Sequence, residues 1–382
     1  LSYLLIGLAH VVLGSVLENL ITHYGRDYTS GSQLIFNQFA GFLAGVLATP
    51  RILRKLGGRG TVLLAVGALT LAESVYSMLP SWRWMLAAGP VAGFGFGMIE
   101  AVIGAMTIRF VKERKAVAMS RLEVFFGIGA LLMPLLASSL IIRGVWHVSF
   151  SFVALLSLAA GLLWFFLSFG EADELLSKKS AAAMREADRY DRRSLPMLCM
   201  MALFFLLYVG LEMSFVHFIP SILIHKTNAT TAVATVSIAV FWATMSIGRW
   251  YAGVIAEKTG YIRYLLASCA GTLVFLTMLF FNFDLWSSFL VVFGLGLVMA
   301  GIFAIGLVLA NELIPGMTDR TTSILVAAGG IGGALVPRAV GWMMDRFPLN
   351  AALWLFVGLT LCMLVIMIAA AMTGKGERQT YP

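Results

Sequence analysis

Runs of about twenty apolar residues recur along this chain with only short polar breaks, and that recurrence leaves lipid as the solvent for most of it. Crossing the roughly 30 Å hydrocarbon core takes ~20 residues of helix. Twelve stretches reach that length: 1–23, 32–53, 60–79, 82–109, 116–141, 146–168, 195–222, 229–255, 262–282, 285–312, 320–344 and 350–373. A backbone in hydrocarbon must satisfy its own hydrogen bonds, so each stretch reads as an α-helix. Only 12% of the residues are charged, about half the share a soluble domain carries, which excludes a water-soluble arrangement. The three cysteines, Cys199, Cys269 and Cys362, fall inside apolar stretches and imply no disulfide framework. No cleavable signal pattern opens the chain, and an initiator Met and a short leader are expected ahead of Leu1.

The net charge of +8 is placed asymmetrically. With the N-terminus in the cytoplasm, 19 of the 27 Lys and Arg fall in cytoplasmic loops and the tail. Five fall outside (Arg26, Arg83, Arg143, Lys226 and Arg346), and Arg121, Arg249 and Arg338 lie within spans or at their ends. Basic residues in short loops set orientation, so both termini are expected in the cytoplasm and no nucleic-acid partner is implied. The longest polar stretch separates six spans from six. The expected organisation is an N-terminal six-helix bundle over 1–169, a cytoplasmic linker over 170–194 and a C-terminal bundle over 195–382.

The two halves repeat at one offset. Adding 203 carries Gly45 to Gly248, Lys55 to Lys258, Gly57 to Gly260, Gly127 to Gly330, Gly129 to Gly332 and Pro134 to Pro337. Six spans return the chain to its starting side, so the repeat is parallel, as in the major facilitator architecture. Gly248-Arg249, Gly253, Glu257-Lys258 and Gly260 resemble that superfamily's signature after the second helix of a half. Its glycines allow close helix approach, and its charges suit a cytoplasmic gate held by Gly248, Arg249, Glu257 and Lys258. The first-half copy is degenerate, with Thr49-Pro50 where an acid is usual.

Ionisable groups inside spans cost roughly 2.5–3.5 kcal/mol each on insertion scales and are functional candidates by default. Glu100 lies nine residues from Arg109, or ~14 Å at helical rise, near the bilayer midplane. It shares a face with Gly93, Gly97 and Gly104, so a carboxyl projects from a stripe of small residues. Carrying a proton is one reading of it, and an interhelical hydrogen bond is the other. Glu123 and Arg121 could form a local salt bridge, but i,i+2 positions diverge on a helix, which favours Glu123 toward the cavity and Arg121 toward the cytoplasmic interface. Glu212 reads as a substrate hydrogen-bond partner, with a structural role as the other reading, and His217 as a packed residue. His10 and Glu18 share a face of span 1, whereas Glu73 in the peripheral span 3 reads as structural. Asn37, Gln38 and Trp242 add amide and stacking capacity, with helix packing as the other reading of Trp242. Carboxylates, amides and an indole suit the hydroxyls and the apolar face of a sugar.

Several segments then resemble one family. They are Gln38-Phe39-Ala40-Gly41-Phe42, Gly95-Phe96-Gly97-Met98-Ile99-Glu100, Leu122-Glu123-Val124-Phe125-Phe126-Gly127, Tyr208 to Glu212, Phe218-Ile219-Pro220-Ser221, and Phe241-Trp242 with Gly248-Arg249. Over nearly its whole length the chain is similar to the fucose–galactose–glucose:proton symporters, and within them to the bacterial glucose/mannose branch. The resemblance implies uptake of a monosaccharide with a proton by alternating access. It implies coupling at Glu100 and sugar contacts at Gln38, Glu123 and Glu212. Ser15 stands where fucose carriers have a coupling Asp, which leaves Glu18 and His10 as rival proton seats.

The resulting expectation is an all-α membrane protein of the major facilitator fold, twelve transmembrane helices in two parallel repeats. It is expected as a monomer in the bacterial cytoplasmic membrane, in contact with lipid, importing a hexose with a proton and needing no other cofactor. A proton-driven exporter of drugs or metabolites is the competing reading, weakened because Met133 rather than Gly precedes Pro134. A non-transporting sensor would carry a longer cytoplasmic extension. No metal cluster, nucleophile elbow or phosphate loop suggests an enzyme.

Overall fold

The structure, a computed structural model, describes the backbone of residues 1–110, 115–167, 194–281, 284–314 and 318–378. Within them it describes all side chains but those of 105, 107–110, 115–122, 318–320 and 373–378. The Arg121 side chain and all but the last residue of the linker 170–194 therefore lie outside the described residues. The elements are α1 (Ser2–Ser15), α2 (Leu17–Tyr24), α3 (Tyr28–Ser77), α4 (Trp82–Phe110), α5 (Lys115–Ile142), α6 (Val148–Phe166), α7 (Leu195–Thr227), α8 (Thr231–Thr259), α9 (Tyr261–Phe281), α10 (Leu285–Met299), α11 (Ile302–Leu313), α12 (Thr318–Arg346) and α13 (Leu349–Arg378).

These helices resolve into twelve spans once three departures from simple rods are explained. The 50 residues of α3 would run about 75 Å as one helix, more than twice the hydrocarbon thickness. Gly57, at φ 72° and ψ 177°, breaks it into two limbs, and these are spans 2 and 3. The connection expected between 53 and 60 is thus a break of a single residue. Span 1 is bent by 49° between α1 and α2. There Ser15 turns its hydroxyl back onto the Val11 carbonyl (2.8 Å) and gives its own carbonyl to the Thr235 hydroxyl (3.2 Å). A side chain inserted into the backbone ladder is a recognised cause of a kink. Span 10 is likewise interrupted at Ala300-Gly301, between α10 and α11. The Met299 carbonyl at the break accepts from the Tyr208 hydroxyl at 3.2 Å.

Contacts divide the chain into two compact units: Leu1–Arg185 with Thr230–Ala239, and Glu186–Ala229 with Val240–Pro382. In the first, α3 packs on α4 and α6, and α1 on α5; in the second, α7 packs on α12 and α13, and α9 on α13 and α10. The outer part of α8 belongs to the first unit, where the Ser138 hydroxyl donates to the Ala232 carbonyl at 2.8 Å.

The repeat read at offset 203 recurs in the packing. A Cβ on Gly93 would meet the Gln38 carbonyl of span 2; on Gly296 it would meet the Phe241 carbonyl of span 8. Gly45 lies against the Phe94 carbonyl and Gly248 against the Leu297 carbonyl, both pairs matched at the same offset. Gly129 closes on Leu4 and Leu8 of span 1, and Gly332 on Leu206 of span 7. Gly57 and Gly260 both take positive φ, 72° and 87°, ending the second span of each half where only glycine bends without strain.

Polar termini are tied locally. Asp27 caps α3 by accepting from the Ser30 amide at 2.8 Å. The Ser30 hydroxyl, then its amide, hold this carboxyl below the usual carboxylate range. The cap's contribution is therefore present at neutral pH and lost as pH falls through that lowered value. At the end of α6, Arg59 donates from Nε to the Trp164 carbonyl (2.7 Å) and from Nη2 to those of Phe165 (2.7 Å) and Leu167 (2.5 Å). A cation on the carbonyl end of a helix answers both the orphan acceptors and the dipole. Arg59→Ala is expected to cost about 1–3 kcal/mol of stability, read as a lower melting temperature of the purified protein. An unchanged melting temperature would mean that water serves those carbonyls equally well.

Candidate functional site

In the first unit, close packing of α4 on the first limb of α3 is what places Glu100. Gly93 and Gly97 bring the α4 backbone against Gln38 and Phe42, and Glu100 follows one turn further in, half-buried. Glu123 on α5 is exposed. The two carboxyls lie within electrostatic reach of each other, and Tyr3 on α1 within reach of both. Tyr3 was not singled out from the sequence; its signal there is a phenol in the first turn of an apolar helix.

His10 lies deeper in the same unit and is buried. Its ring meets the edges of Phe39 (5.3 Å), Phe96 (5.5 Å) and Phe126 (5.6 Å), so spans 1, 2, 4 and 5 all enclose it. Gln38, also buried, donates from Nε2 to the Ala9 carbonyl at 3.4 Å. Its Oε1 has no hydrogen-bond partner among the described residues. A buried amide acceptor in that state suits an incoming hydroxyl.

Other expected site residues have local commitments. Asn37 donates to the Leu86 carbonyl (3.0 Å) and accepts from Gln33 Nε2 (3.2 Å), so its amide fastens span 2 to span 4. Glu18 accepts from the Tyr28 hydroxyl at 2.7 Å, joining α2 to the start of α3. Glu73 is fully buried on the second limb of α3, one turn from the buried Tyr76.

The second unit gathers residues that the sequence assigned to two places. Glu212 on α7 and Arg249 on α8 pair at 4.0 Å between Oε1 and Nη2. The guanidinium carbon lies 5.7 Å from the centroid of the Trp242 ring. Arg249, expected at a cytoplasmic gate, thus lies beside Glu212 and Trp242 and remains partly accessible. The attraction is stronger in a low-dielectric setting than beside water, but it offsets desolvation of the two charges only in part. The indole face beside the guanidinium adds a cation–π contact. Glu257 and Lys258 stay exposed at the end of α8, and among the described residues neither forms an ion pair. Gly248 packs on Leu297 and Ala300, so it serves helix contact. His217 donates from Nδ1 to the Met213 carbonyl at 2.7 Å, the packed role read for it. Among the described residues no group of three or more His, Cys, Asp or Glu is placed to hold a metal ion. Cys199, Cys269 and Cys362 are free thiols.

Comparison with known proteins agrees with this architecture. Residues 1–337 match the family model described as Major Facilitator Superfamily. The glucose/mannose transporter GlcP of Bacillus subtilis is 30% identical over 368 residues, covering 95% of this chain and 91% of that one. A mouse sodium-dependent glucose transporter 1A is 21% identical over 91% of this chain and 89% of its own. Among solved structures, a D-xylose-proton symporter superimposes with a TM-score of 0.73 at 13% identity, over 96% of this chain and 94% of that one.

Proposed function

The chain belongs to the Major Facilitator Superfamily, and on that premise we propose that it imports a hexose of the glucose or mannose kind together with a proton, by alternating access. The observation that carries this reading is the pair Glu100 and Glu123, two carboxyls within reach of each other on spans 4 and 5. Two carboxylates sharing a site repel when both are charged, so uptake of one proton relieves the pair. The protonated pair carries less charge, and a neutral sugar adds none, so the loaded carrier crosses its midpoint more cheaply than the empty ionised one.

The sugar assignment draws on the name of the Bacillus relative and on the chemistry beside the carboxyls. The Gln38 acceptor, Glu123 and the rings around His10 offer hydrogen bonds and aromatic edges of the kind a hexose uses. Glu100 is the coupling carboxyl, with His10 and Glu18 as the rival seats. The protein acts as a monomer in the bacterial cytoplasmic membrane, with both termini in the cytoplasm, and needs no cofactor beyond the proton.

Proteoliposomes with imposed gradients test the reading. D-glucose or D-mannose should accumulate under an inward proton gradient and only equilibrate without one. The mouse relative is named for sodium dependence, so accumulation driven by sodium alone would replace the proton. Absence of hexose exchange under every condition would remove the sugar.

A further inference from the structure

The second unit holds a charge pair that proton coupling at Glu100 does not need. Glu212 lies near the middle of α7 and Arg249 about one turn from the middle of α8, toward its Thr259 end, both within the depth where a charge is costly. Their exposures differ: the Arg249 side chain is 27% accessible and that of Glu212 6%. The cation therefore reaches open space with the anion behind it. Behind the carboxylate the backbone is fixed, because Gly210 lies against Val336 and Gly332 of α12 and Tyr208 is bonded to the Met299 carbonyl. Trp242, 1% exposed, lies under the guanidinium.

A guanidinium reaching open space at this depth is a receptor for planar anions. Its fork matches a carboxylate bidentately, and few competing water molecules weaken the attraction. With Glu212 beside it the pair is neutral, and an arriving anion meets the field of a dipole rather than a full positive charge. We infer that Glu212 is a specificity-determining residue, the built-in counter-ion that makes this carrier reject anionic sugars, and that Arg249 is the group a hexuronate would otherwise occupy. The inference rests on the sugar-carrier reading and deepens it: the substrate class becomes uncharged hexoses, selected partly by withholding a positive charge.

The test compares D-glucose with D-glucuronate, which differ at one carbon by a carboxylate. Ligand-induced rise in melting temperature is measured on purified wild-type protein, Glu212→Gln, Glu212→Asp and the double variant Glu212→Gln with Arg249→Gln. Competition against D-glucose counterflow is measured in parallel. Glu212→Gln is expected to bind glucuronate at least tenfold more tightly than wild type, with no matching gain for glucose and with a steep loss at high salt. Glu212→Asp, its carboxylate withdrawn by one methylene, should gain less, and the double variant should gain nothing.

A folded Glu212→Gln protein without a glucuronate gain overturns the inference, as does a gain that survives loss of Arg249. Should Glu212→Gln not fold, a wild-type response to glucuronate in Glu212→Asp overturns it as well. A wild-type protein that exchanges no hexose defeats the sugar reading instead, and the glucuronate comparison by melting temperature still decides the role of Glu212.

Discussion

Glu100→Gln is expected to leave hexose exchange running and to abolish hexose accumulation. The glutamine amide is close in size and shape to a protonated carboxyl, so the variant resembles a carrier whose proton never leaves. Exchange of external for internal sugar needs only the loaded carrier to reorient, and it should continue within a few-fold of wild type. Net accumulation needs the proton to come off inside and the empty carrier to return, and that cycle is closed to the amide. The size of the effect follows from the driving force. One charge moved through 100 mV is worth about 2.3 kcal/mol, and tenfold in concentration costs about 1.4 kcal/mol. Wild-type protein can thus hold roughly a fifty-fold sugar gradient, which should fall to unity in Glu100→Gln. Glu123→Gln is the informative companion. Glu123 is exposed while Glu100 is half-buried, so Glu100 carries the charge that is dearer to move across the membrane. Glu123→Gln should accumulate sugar with a raised KM. Wild-type accumulation by Glu100→Gln would remove that residue from coupling, and loss of both exchange and accumulation would make it structural.

Much of this architecture is legible in the sequence because lipid imposes one rule on every span. Length and apolarity gave twelve helices, and an offset of 203 gave the repeat that the glycine contacts reproduce. The boundary between spans 2 and 3 was legible, but the breaks inside spans 1 and 10 were not. Gly14-Ser15 precedes the kink in span 1, but such pairs are common in spans, and the group that takes the Ser15 carbonyl there, Thr235, lies 220 positions along the chain. The sites divide in the same way. Glu100 stands out because a lone acid on a small-residue stripe is costly, and its position depends on local helix geometry. Asn37 and Glu18 look alike in the sequence as polar residues in spans, yet Leu86, Gln33 and Tyr28 occupy them. Arg249 matched a loop signature, and only the structure shows Glu212 and Trp242 beside it. Partners across helices decide such roles, and a single sequence does not write them down.

The glycines that carry the repeat should fail in matched pairs. A Cβ on Gly93 would press into the Gln38 carbonyl and lie 2.7 Å from the Phe42 amide nitrogen. On Gly296 it would press into the Thr244 hydroxyl and lie 2.6 Å from the Phe241 carbonyl. Backbone atoms cannot turn aside as a flexible side chain can, so each substitution must push two spans apart. Overpacking a well-filled interior costs about 1–3 kcal/mol, and spans lose more when separation breaks the close approach that small residues permit. Gly93→Leu and Gly296→Leu should each leave no monodisperse peak on size exclusion, and the two Ala variants should melt well below wild type. Gly67 and Gly358 lie on spans 3 and 12 with nothing within 4 Å of an added Cβ. Ala at either should behave as wild type or slightly better, because it lowers the entropy of the unfolded chain. The comparison separates close packing from a general intolerance of substituted glycine. Equal tolerance at positions 93 and 67 would mean that spans 2 and 4 are not in the contact described. Failure at 93 with tolerance at 296 would mean that the two halves share a sequence pattern without sharing a packing rule.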